Sequence, residues 1–511
     1  MEKNVTAFTK NKRIVKNTLL LYVRMIFTMA VTLYTSRIIL NVLGVEDYGV
    51  YNVVGGVVTM FAFFNSAMSN ATQRFLSYEI GKGDFEKLRK IFNASQLIHI
   101  GIALLIGILA ETIGLWFVKK YLVIPIERME AAVWVYHFSV FAFIITVIQV
   151  PYNAIIIARE RMNAFAYISV LEVFLKLIIV FMLTWLDFDK LKLYGVLYFV
   201  ITLSIGIIYR VFTRVNFKET EFELIKDKEL YSTLIYYSGW NLFGNIAGIA
   251  KVQGINILLN IFFGPIVNAA RGIASQVQGA VNSFVVNFQI AVNPQIIKSY
   301  ASGDQGYMTL LVIRSSKLSF YLLFLLSFPI IIEVEQILKL WLKVVPEYAP
   351  IFTNLVLVVV LIDCFSGPLM TAAQATGRIK VYQIVVGTLQ FLILPLSYWF
   401  LVKGYSPEVA MYINIIISII ALFFRVCFLK YLLDFPVLEF IRDVVIKCAL
   451  VVLVSVSLPL FLKYNLNVTF INLLLVILTT FIWTILVIYL IGLNKVEKEF
   501  LLSIVKKKYK K

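Results

Sequence analysis

The sequence predicts an all-α integral membrane protein with about fourteen transmembrane helices, arranged as two parallel-repeat six-helix lobes followed by two C-terminal helices. Three observations lead to this prediction. The 511 residues are 60% hydrophobic and 15% charged, with a mean hydropathy of +0.87, whereas soluble domains are nearer half apolar and one quarter charged. Long apolar runs recur along the whole chain, and Lys and Arg concentrate on alternate sides of them.

The apolar runs define the helices in order. A transmembrane helix needs about 20 predominantly apolar residues. Stretches of this kind occur at residues 17–40, 46–70, 91–117, 132–157, 164–185, 193–212, 240–262, 269–296, 314–332, 352–376, 381–402, 409–430, 445–463 and 469–491. Their ends are defined to within several residues.

The placement of basic residues orients these helices. With the N-terminus inside, 33 Lys and Arg fall in or near the inner segments and 9 in the outer ones. This asymmetry follows the positive-inside rule and predicts that both termini are cytoplasmic. The net charge of +18 therefore predicts contact with anionic membrane lipids, above all for the lysine-rich tail 506–511, and requires no nucleic acid.

An internal repeat divides the chain. The inner loop 73–84 reads QRFLSYEIGKGD, and the loop 295–304, about 220 residues later, reads QIIKSYASGD. Because six crossings return the chain to the same side, the two halves are related as a parallel repeat. The predicted domains are an N-terminal six-helix lobe at 1–213, a cytoplasmic linker at 214–236, a C-terminal six-helix lobe at 237–430, and two further transmembrane helices with a basic tail at 431–511.

Polar side chains interrupt the seventh and eighth predicted helices. The eighth carries a stripe that lies within about 60° of arc on a helix, and such a stripe is expected to face a wet cavity; its members are Arg271, Gln278, Asn282, Gln289 and Asn293. The seventh carries Asn245, Lys251 and Asn256 among apolar neighbours. Amides that bind helices together are the alternative explanation for single members of this set.

Charged residues inside the predicted helices are candidates for substrate binding or ion coupling. Lys251 lies about twelve residues from either end of its helix, too far to reach an interface, so it is expected to face water, substrate or an acid such as Asp363. Arg24 and Arg37 lie nearer the ends of the first helix and could instead extend to the interfaces. Glu172 and Lys176 are one turn apart, so mutual neutralisation is the leading alternative to ion coupling by Glu172.

Several classes of function leave no trace in the sequence. There is no Walker-type phosphate loop, no metal-ligand spacing around the two histidines, and no catalytic Ser/His/Asp set on a large extramembrane segment. We therefore expect neither an enzyme nor a cofactor or metal site. The three cysteines all fall in apolar segments, which does not indicate a disulfide framework.

The chain resembles the polysaccharide transporter branch of the multidrug/oligosaccharidyl-lipid/polysaccharide exporter superfamily, which contains the O-antigen and capsule repeat-unit flippases. The resemblance extends over nearly the whole chain. Its motifs are SR at 36–37 with LGVEDYGVY at 43–51, ILKLWL at 337–342 with VPEYA at 345–349, and AAQATGR at 372–378.

The resemblance implies two six-helix lobes around a central cavity that opens alternately to cytoplasm and periplasm. It also implies a substrate, an undecaprenyl-pyrophosphate-linked oligosaccharide, which is moved across the bacterial inner membrane for surface polysaccharide synthesis. Glycosyltransferases and a polysaccharide polymerase would be partners in that pathway. The residues expected to bind the substrate are Lys251, Arg271, Arg24, Arg37, Gln278, Asn282, Gln289, Asn293, Asn245 and Asn256.

Three alternatives stay open. A cation-coupled multidrug exporter of the same superfamily would usually bind cationic solutes and use an acid in the N-terminal lobe, whereas the first helix here has two arginines and no acid. A lipid II flippase would share fourteen helices and basic cavity residues. A scaffold for polysaccharide assembly would not transport, and a charged residue in mid-helix would then be hard to explain. The identity of the sugars and of a coupling ion is not encoded in any motif.

Overall fold

The computed structural model describes residues 2–59, 62–122, 124–342, 345–467 and 469–499, which fold almost entirely into helices. In chain order the α-helices are α1 (Glu2–Thr59), α2 (Ala62–Lys82), α3 (Phe85–Leu109), α4 (Leu115–Tyr121), α5 (Met129–Ala158), α6 (Met162–Trp185), α7 (Lys190–Asn216), α8 (Lys228–Ala301), α9 (Gln305–Ile332), α10 (Val334–Leu342), α11 (Ala349–Asp363), α12 (Ser366–Ala375), α13 (Lys380–Val402), α14 (Val409–Leu433), α15 (Val437–Phe440), α16 (Lys447–Asn465) and α17 (Phe470–Val487).

The protein is an all-α polytopic membrane protein, as the sequence predicts. Among the described residues, eleven helical segments are long and apolar enough to cross a membrane, and each matches one of the predicted spans. The predicted spans at 17–40, 46–70 and 269–296 are not among them. The last carries the polar stripe, which lowers its hydropathy, and the first two include residues or side chains outside the described part.

Helical geometry continues through the two outer turns that the sequence predicts as loops. α8 therefore covers the predicted spans 240–262 and 269–296, and α1 covers the span 17–40 and the beginning of the span 46–70. The chain of α8 nevertheless reverses. Lys251 and Gln289 contact the adjoining residues Asp363 and Cys364, whereas a straight helix would separate them by about 57 Å at 1.5 Å per residue. The first arm of α8 therefore runs antiparallel to the second, as the spans 240–262 and 269–296 require.

Contacts group the chain into two compact units. The first contains Met1–Ile246 and Ile290–Asp304, and the second contains Ala247–Gln289 and Gln305–Lys511. Both ends of α8 thus belong to the first unit and its middle to the second. The domain boundaries drawn from the sequence stay a prediction beside this grouping.

In the first unit, α5 packs against α7, α3, α2 and α1. One end of the unit is fixed by Arg128, just before α5, which donates to Asp47 in α1 at 2.5 Å and to Asp189 at 2.8 Å. Asp189 also caps the N-terminus of α7 by accepting from backbone amides. Asp47 belongs to the LGVEDYGVY motif, and its contact with Arg128 explains why an acid at this turn is useful.

In the second unit, α9 is the most deeply buried span, and α16 and α17 pack against it. The buried Lys317 of α9 donates to Glu497, which follows α17, at 2.7 Å. Tyr321, one turn further along α9, donates to the Gly492 carbonyl at 3.1 Å. Because lipid offers little hydrophobic driving force between helices, such polar contacts and close packing fix the position of the C-terminal pair.

Candidate functional site

Lys251 and Asp363, both deep inside predicted spans, form an ion pair in the second unit. The Lys251 Nζ lies 3.6 Å from an Asp363 carboxylate oxygen, with side chains 14% and 36% exposed. This distance exceeds that of a normal hydrogen bond, so the attraction between the two groups is mainly Coulombic. Of the surroundings that the sequence allows for Lys251, namely water, substrate or an acid, the structure shows the acid Asp363.

The acid of this pair lies at an interruption of a membrane span. The span Ala349–Ala375 is a single apolar segment, but α11 ends at Asp363 and α12 begins at Ser366. Pro368 explains the interruption, because a proline has no N–H to donate to the carbonyl of Cys364 four residues earlier and its ring clashes with that carbonyl. Pro151 and Pro395, where the sequence predicts possible kinks, lie inside continuous helices α5 and α13.

Gln289 from the second arm of α8 stabilises the interruption. Its side-chain amide donates to the Cys364 carbonyl at 3.4 Å, which is the carbonyl that Pro368 leaves without a helical donor. Gly367 makes this approach possible, since a Cβ at that position would collide with the Gln289 amide. We call Lys251, Gln289 and Asp363 the charge centre.

A further polar group, the hydroxyl of Ser366, lies at the interruption. Ser366 is buried, and its hydroxyl has no hydrogen-bond partner among the described residues. Interrupted helices at membrane depth are a recurrent way to build transport sites. The charge centre therefore combines a cation, an acid and an amide beside a helix whose hydrogen bonding is interrupted by Pro368.

The polar stripe of α8 flanks the buried face of its second arm. Val281 and Val285 are buried, and Gln278 and Asn282 are partly buried beside them. The most exposed positions instead include Gly272, Gln276 and Gly279, which lie on a neighbouring arc. The stripe thus lies at the edge of a packed face, and the more exposed arc next to it, which the sequence does not predict, contains Gln276 and two glycines.

Arg271 lies far from the charge centre. Its side chain is 3% exposed, it donates to Ser275 at 2.8 Å, and its Nε has no hydrogen-bond partner among the described residues. Eighteen residues of helix separate it from Gln289, about 27 Å along the axis. A single pyrophosphate group therefore cannot contact both Arg271 and Lys251 in this structure.

The remaining amides differ in their surroundings. In the second unit, Asn256 donates to Gln253 at 3.4 Å, and its carbonyl oxygen is buried without a partner in the described part of the chain. In the first unit, Asn245 and Asn293 also have one buried side-chain atom each without a hydrogen-bond partner among described residues. Each of these amides thus keeps one unused hydrogen-bonding atom inside the protein.

Charged residues of the first unit are largely satisfied by local contacts. Lys176 donates to Glu172 at 2.6 Å across one helical turn, which is the neutralisation that the sequence suggests. Arg24 lies over the Phe165 ring at 4.7 Å and donates to Ser169 at 3.4 Å. The side chain of Arg37 falls outside the part of the chain that the structure describes.

The two repeated inner loops have the same local structure. Gly83 and Gly303 both adopt positive φ, at 77° and 79°, and each ends a helix. The equivalent residues Tyr78 and Tyr300, at the same place in QRFLSY and QIIKSY, have ring centroids 6.3 Å apart. The two matching loops thus end their helices in the same way and lie next to each other in the first unit.

Glu160 fixes the C-terminal end of α8 inside the first unit. It is buried in the α5–α6 turn, accepts from Gln295 at 2.5 Å, and forms an ion pair with Lys298. Its φ of 58° is unusual for a residue other than glycine. Gly81 of α2 contacts the Lys298 backbone so closely that a Cβ would collide with it.

Comparison with known proteins supplies the fold. The sequence profile of the MatE family matches residues 20–183. The outward-facing conformation of a multidrug resistance MATE family transporter of the MOP superfamily superposes with a TM-score of 0.70 at 13% identity, covering 83% of this chain and 96% of that one. The chain has the fold of MATE transporters.

Two further solved structures agree. A MATE transporter in the straight conformation gives a TM-score of 0.70 at 14% identity over 83% of this chain and 97% of its own. The MATE transporter ClbM in complex with Rb⁺ gives 0.66 at 15% identity over 81% and 94%. No curated protein sequence matches the chain. At these identities the comparison defines the MATE fold and leaves the substrate to the site.

Two features of the site within this MATE fold are missing from the sequence-based prediction. The interruption after Asp363 had a signal, because Gly367 and Pro368 stand together in the middle of an apolar run. Glu160 had none, since a short Arg-Glu-Arg turn does not reveal that its acid is buried against α8. Gly367 and Pro368 can thus be recognised in the sequence as helix breakers, whereas the contacts of Glu160 depend on the tertiary structure.

Proposed function

We propose that this chain is a flippase that moves oligosaccharide repeat units, carried on undecaprenyl pyrophosphate, across the bacterial inner membrane by alternating access. The observation that carries the proposal is the charge centre, a cation and an acid at an interrupted helix deep inside a span. Ionisable groups at such depth usually mark a substrate or ion pathway. The MATE fold supports a transporter, and the lipid tail of such a substrate can remain in the bilayer.

Lys251 and Asp363 divide the work in this proposal. In the substrate-free state Asp363 neutralises Lys251. In the proposed cycle Asp363 accepts a proton when the substrate binds, which leaves the ammonium of Lys251 to the pyrophosphate. Release of both the substrate and the proton on the other side of the membrane restores the ion pair. Gln289 keeps the interruption open, and Gln278, Asn282 and Asn256 offer amide groups to sugar hydroxyls. Proton and pyrophosphate would then cross in the same direction, so a pH gradient that is acidic on the side where the substrate binds would accelerate transport.

The other candidate residues take separate roles. Arg271 is proposed as a second anion position, used when the substrate is closer to the outer leaflet. Arg24, Arg37, Asn245 and Asn293 belong to the first unit and are proposed to contact the substrate from there. Glu172 is paired with Lys176, which favours a structural role, so the proposed ion coupling rests on Asp363.

The setting of this function follows from its chemistry. We place the chain in the bacterial inner membrane with both termini in the cytoplasm, in agreement with the positive-inside distribution of Lys and Arg. Glycosyltransferases would supply the substrate on the inner face, and a polysaccharide polymerase would consume it on the outer face.

The test is transport of a pyrophosphate-linked oligosaccharide in proteoliposomes with and without a pH gradient. Asp363→Asn mimics the protonated acid, so we expect it to transport without a gradient and to lose the acceleration that the gradient gives to the wild type. Glu172→Gln serves as the control and should keep that acceleration. A gradient response in Asp363→Asn equal to that of the wild type would refute the coupling role.

A cation-coupled multidrug exporter is the second candidate, because a multidrug transporter is among the similar solved structures. The two functions separate in cells. Deletion of the gene should abolish surface polysaccharide and leave the efflux of a cationic dye unchanged. Loss of dye efflux with normal polysaccharide would favour the exporter.

A further inference from the structure

A polar cavity of about 690 Å³ opens in the first unit, apart from the charge centre and the α8 stripe. It lies where α3 begins, α5 ends, α6 begins and α7 ends. The lining residues are Phe85, Arg89, Arg159, Arg161, Asn216, Phe217, Lys218, Glu219 and Glu221. Since four span ends meet here, the cavity lies at the depth of the lipid headgroups, on the side that the sequence predicts to be cytoplasmic.

The lining is cationic overall, with four basic and two acidic side chains. Arg159 is oriented by Glu219, to which its Nε donates at 2.8 Å, and it also lies 5.3 Å from the Phe85 ring centroid. Arg161 and Lys218 are exposed, and their side chains make no hydrogen bond or ion pair within the described residues. Two free cations therefore stand beside one that is held in place.

Apolar side chains surround this cationic lining. Phe85 is 58% exposed, and Val215 and Leu224, on the segments that lead into and out of the cavity, are 80% and 68% exposed. Exposed apolar residues next to arginines are unfavourable in water but suited to a membrane interface, where the apolar groups meet acyl chains and the cations meet phosphates.

We propose that this cavity binds the phosphate of an anionic phospholipid headgroup, with the acyl chains lying along the exposed apolar rim. Guanidinium groups recognise phosphate oxygens through paired N–H donors, and an ammonium adds a point charge. Basic pockets between transmembrane helices on the cytoplasmic side are known to suit such headgroups. The site is independent of the transported substrate.

The test uses the purified, delipidated full-length protein, titrated with short-chain phosphatidylglycerol and followed by native mass spectrometry. The probe variant is Arg161→Gln with Lys218→Gln. Removing a cation near a membrane surface weakens anion binding by about fivefold, so we expect about 25-fold weaker binding for the double variant. Lys226→Gln removes an equally exposed charge from the same connection, outside the cavity, and should bind as the wild type does.

Two further binding measurements identify the nature of the ligand. Short-chain phosphatidylcholine, which has no net charge, should bind the wild type no better than the double variant. Inorganic phosphate should compete weakly, because it lacks the acyl chains. Equal binding of phosphatidylglycerol to wild type and double variant would overturn the site, and saturation by inorganic phosphate at the same concentration would overturn the lipid assignment. Unchanged melting curves of the variants exclude misfolding as the cause.

Discussion

The two units each contain an acid–lysine pair within a predicted membrane span, but they build it differently. In the first unit, Glu172 and Lys176 lie one turn apart on the unbroken helix α6, 2.6 Å from each other. In the second unit, Lys251 and Asp363 come from α8 and from the interrupted end of α11, 3.6 Å apart. The first pair is complete within one helix, and the second depends on how two segments are placed.

This difference separates a structural pair from an exchangeable one. A pair four residues apart forms wherever the helix forms, so it neutralises both charges without linking distant parts of the chain. A pair between two segments can be broken by a shift of either segment or by a competing ligand. The wider spacing and the helix interruption beside Asp363 make the second pair the better candidate for function, and the following changes test that contrast.

The largest contrast is expected between two lysine deletions. Lys251→Ala leaves Asp363 without its cation and removes the proposed phosphate ligand, so surface polysaccharide in a complementation assay should fall about 100-fold or more. Lys176→Ala should reduce it by about twofold at most, because the helical pair contributes little and Arg24 is also within electrostatic reach of Glu172. Equal losses in both variants would remove the distinction between the pairs.

A smaller effect is expected from the glycine that admits Gln289. Gly367→Ala places a Cβ against the Gln289 amide, so it should cost about 1–3 kcal/mol and lower transport about tenfold. Gly279→Ala on the second arm of α8 meets no atom within 4 Å and should be close to neutral. Thermal melting in detergent and transport by the same preparations measure both. A neutral Gly367→Ala would show that the amide contact is dispensable.

The smallest effect concerns a partly exposed pair in the first unit. Partial burial by itself raises the pKa of Asp189, but hydrogen bonds from Arg128 and the Lys192 backbone outweigh it and hold the pKa below its usual value. Asp189→Asn keeps the helix cap and removes the charge, so it should cost about 0.5–1 kcal/mol at pH 7.

The direction of the Asp189 pKa shift determines how the stabilisation by this residue depends on pH. Because the folded-state pKa is lowered, the stabilisation by Asp189 is fully present above its unfolded pKa and disappears as the pH falls through the folded one. The difference in melting temperature between wild type and Asp189→Asn should therefore vanish in strong acid. Asp187→Asn, two residues away and exposed, should show no such dependence. A difference that persists in acid would argue against an ion pair at Asp189.

Much of the fold could be predicted because membrane physics restricts it. Apolar length and the Lys/Arg asymmetry locate the spans, and Glu172 with Lys176 follows from helical spacing alone. The continuity of α1 and α8 through their turns could not be predicted, because residues such as those at 41–45 have moderate helical propensity and only the packing around them decides. For example, Asp47 next to this turn is held by Arg128, which is 81 residues away in the sequence.

The candidate site was less accessible to sequence reasoning. Lys251 and Asp363 stand out as charges in apolar runs, so their pairing could be suggested. The separation of Arg271 from Lys251 could not, because it depends on where α8 reverses. Gln289 belongs to a stripe by its spacing, but its contact with the Cys364 carbonyl depends on Pro368 in a different helix.

The most direct test of the account asks whether Lys251 acts on the substrate or merely accompanies Asp363. The measurement is surface polysaccharide in cells that carry Lys251→Ala, Lys251→Arg, or Lys251→Ala together with Asp363→Ala, at equal levels of protein in the membrane. We predict that the arginine variant retains export and that the single and double alanine variants both lose it, because each lacks the phosphate-binding cation. Recovery of export in the double variant would contradict the account, since it would mean that Lys251 serves only to neutralise the acid.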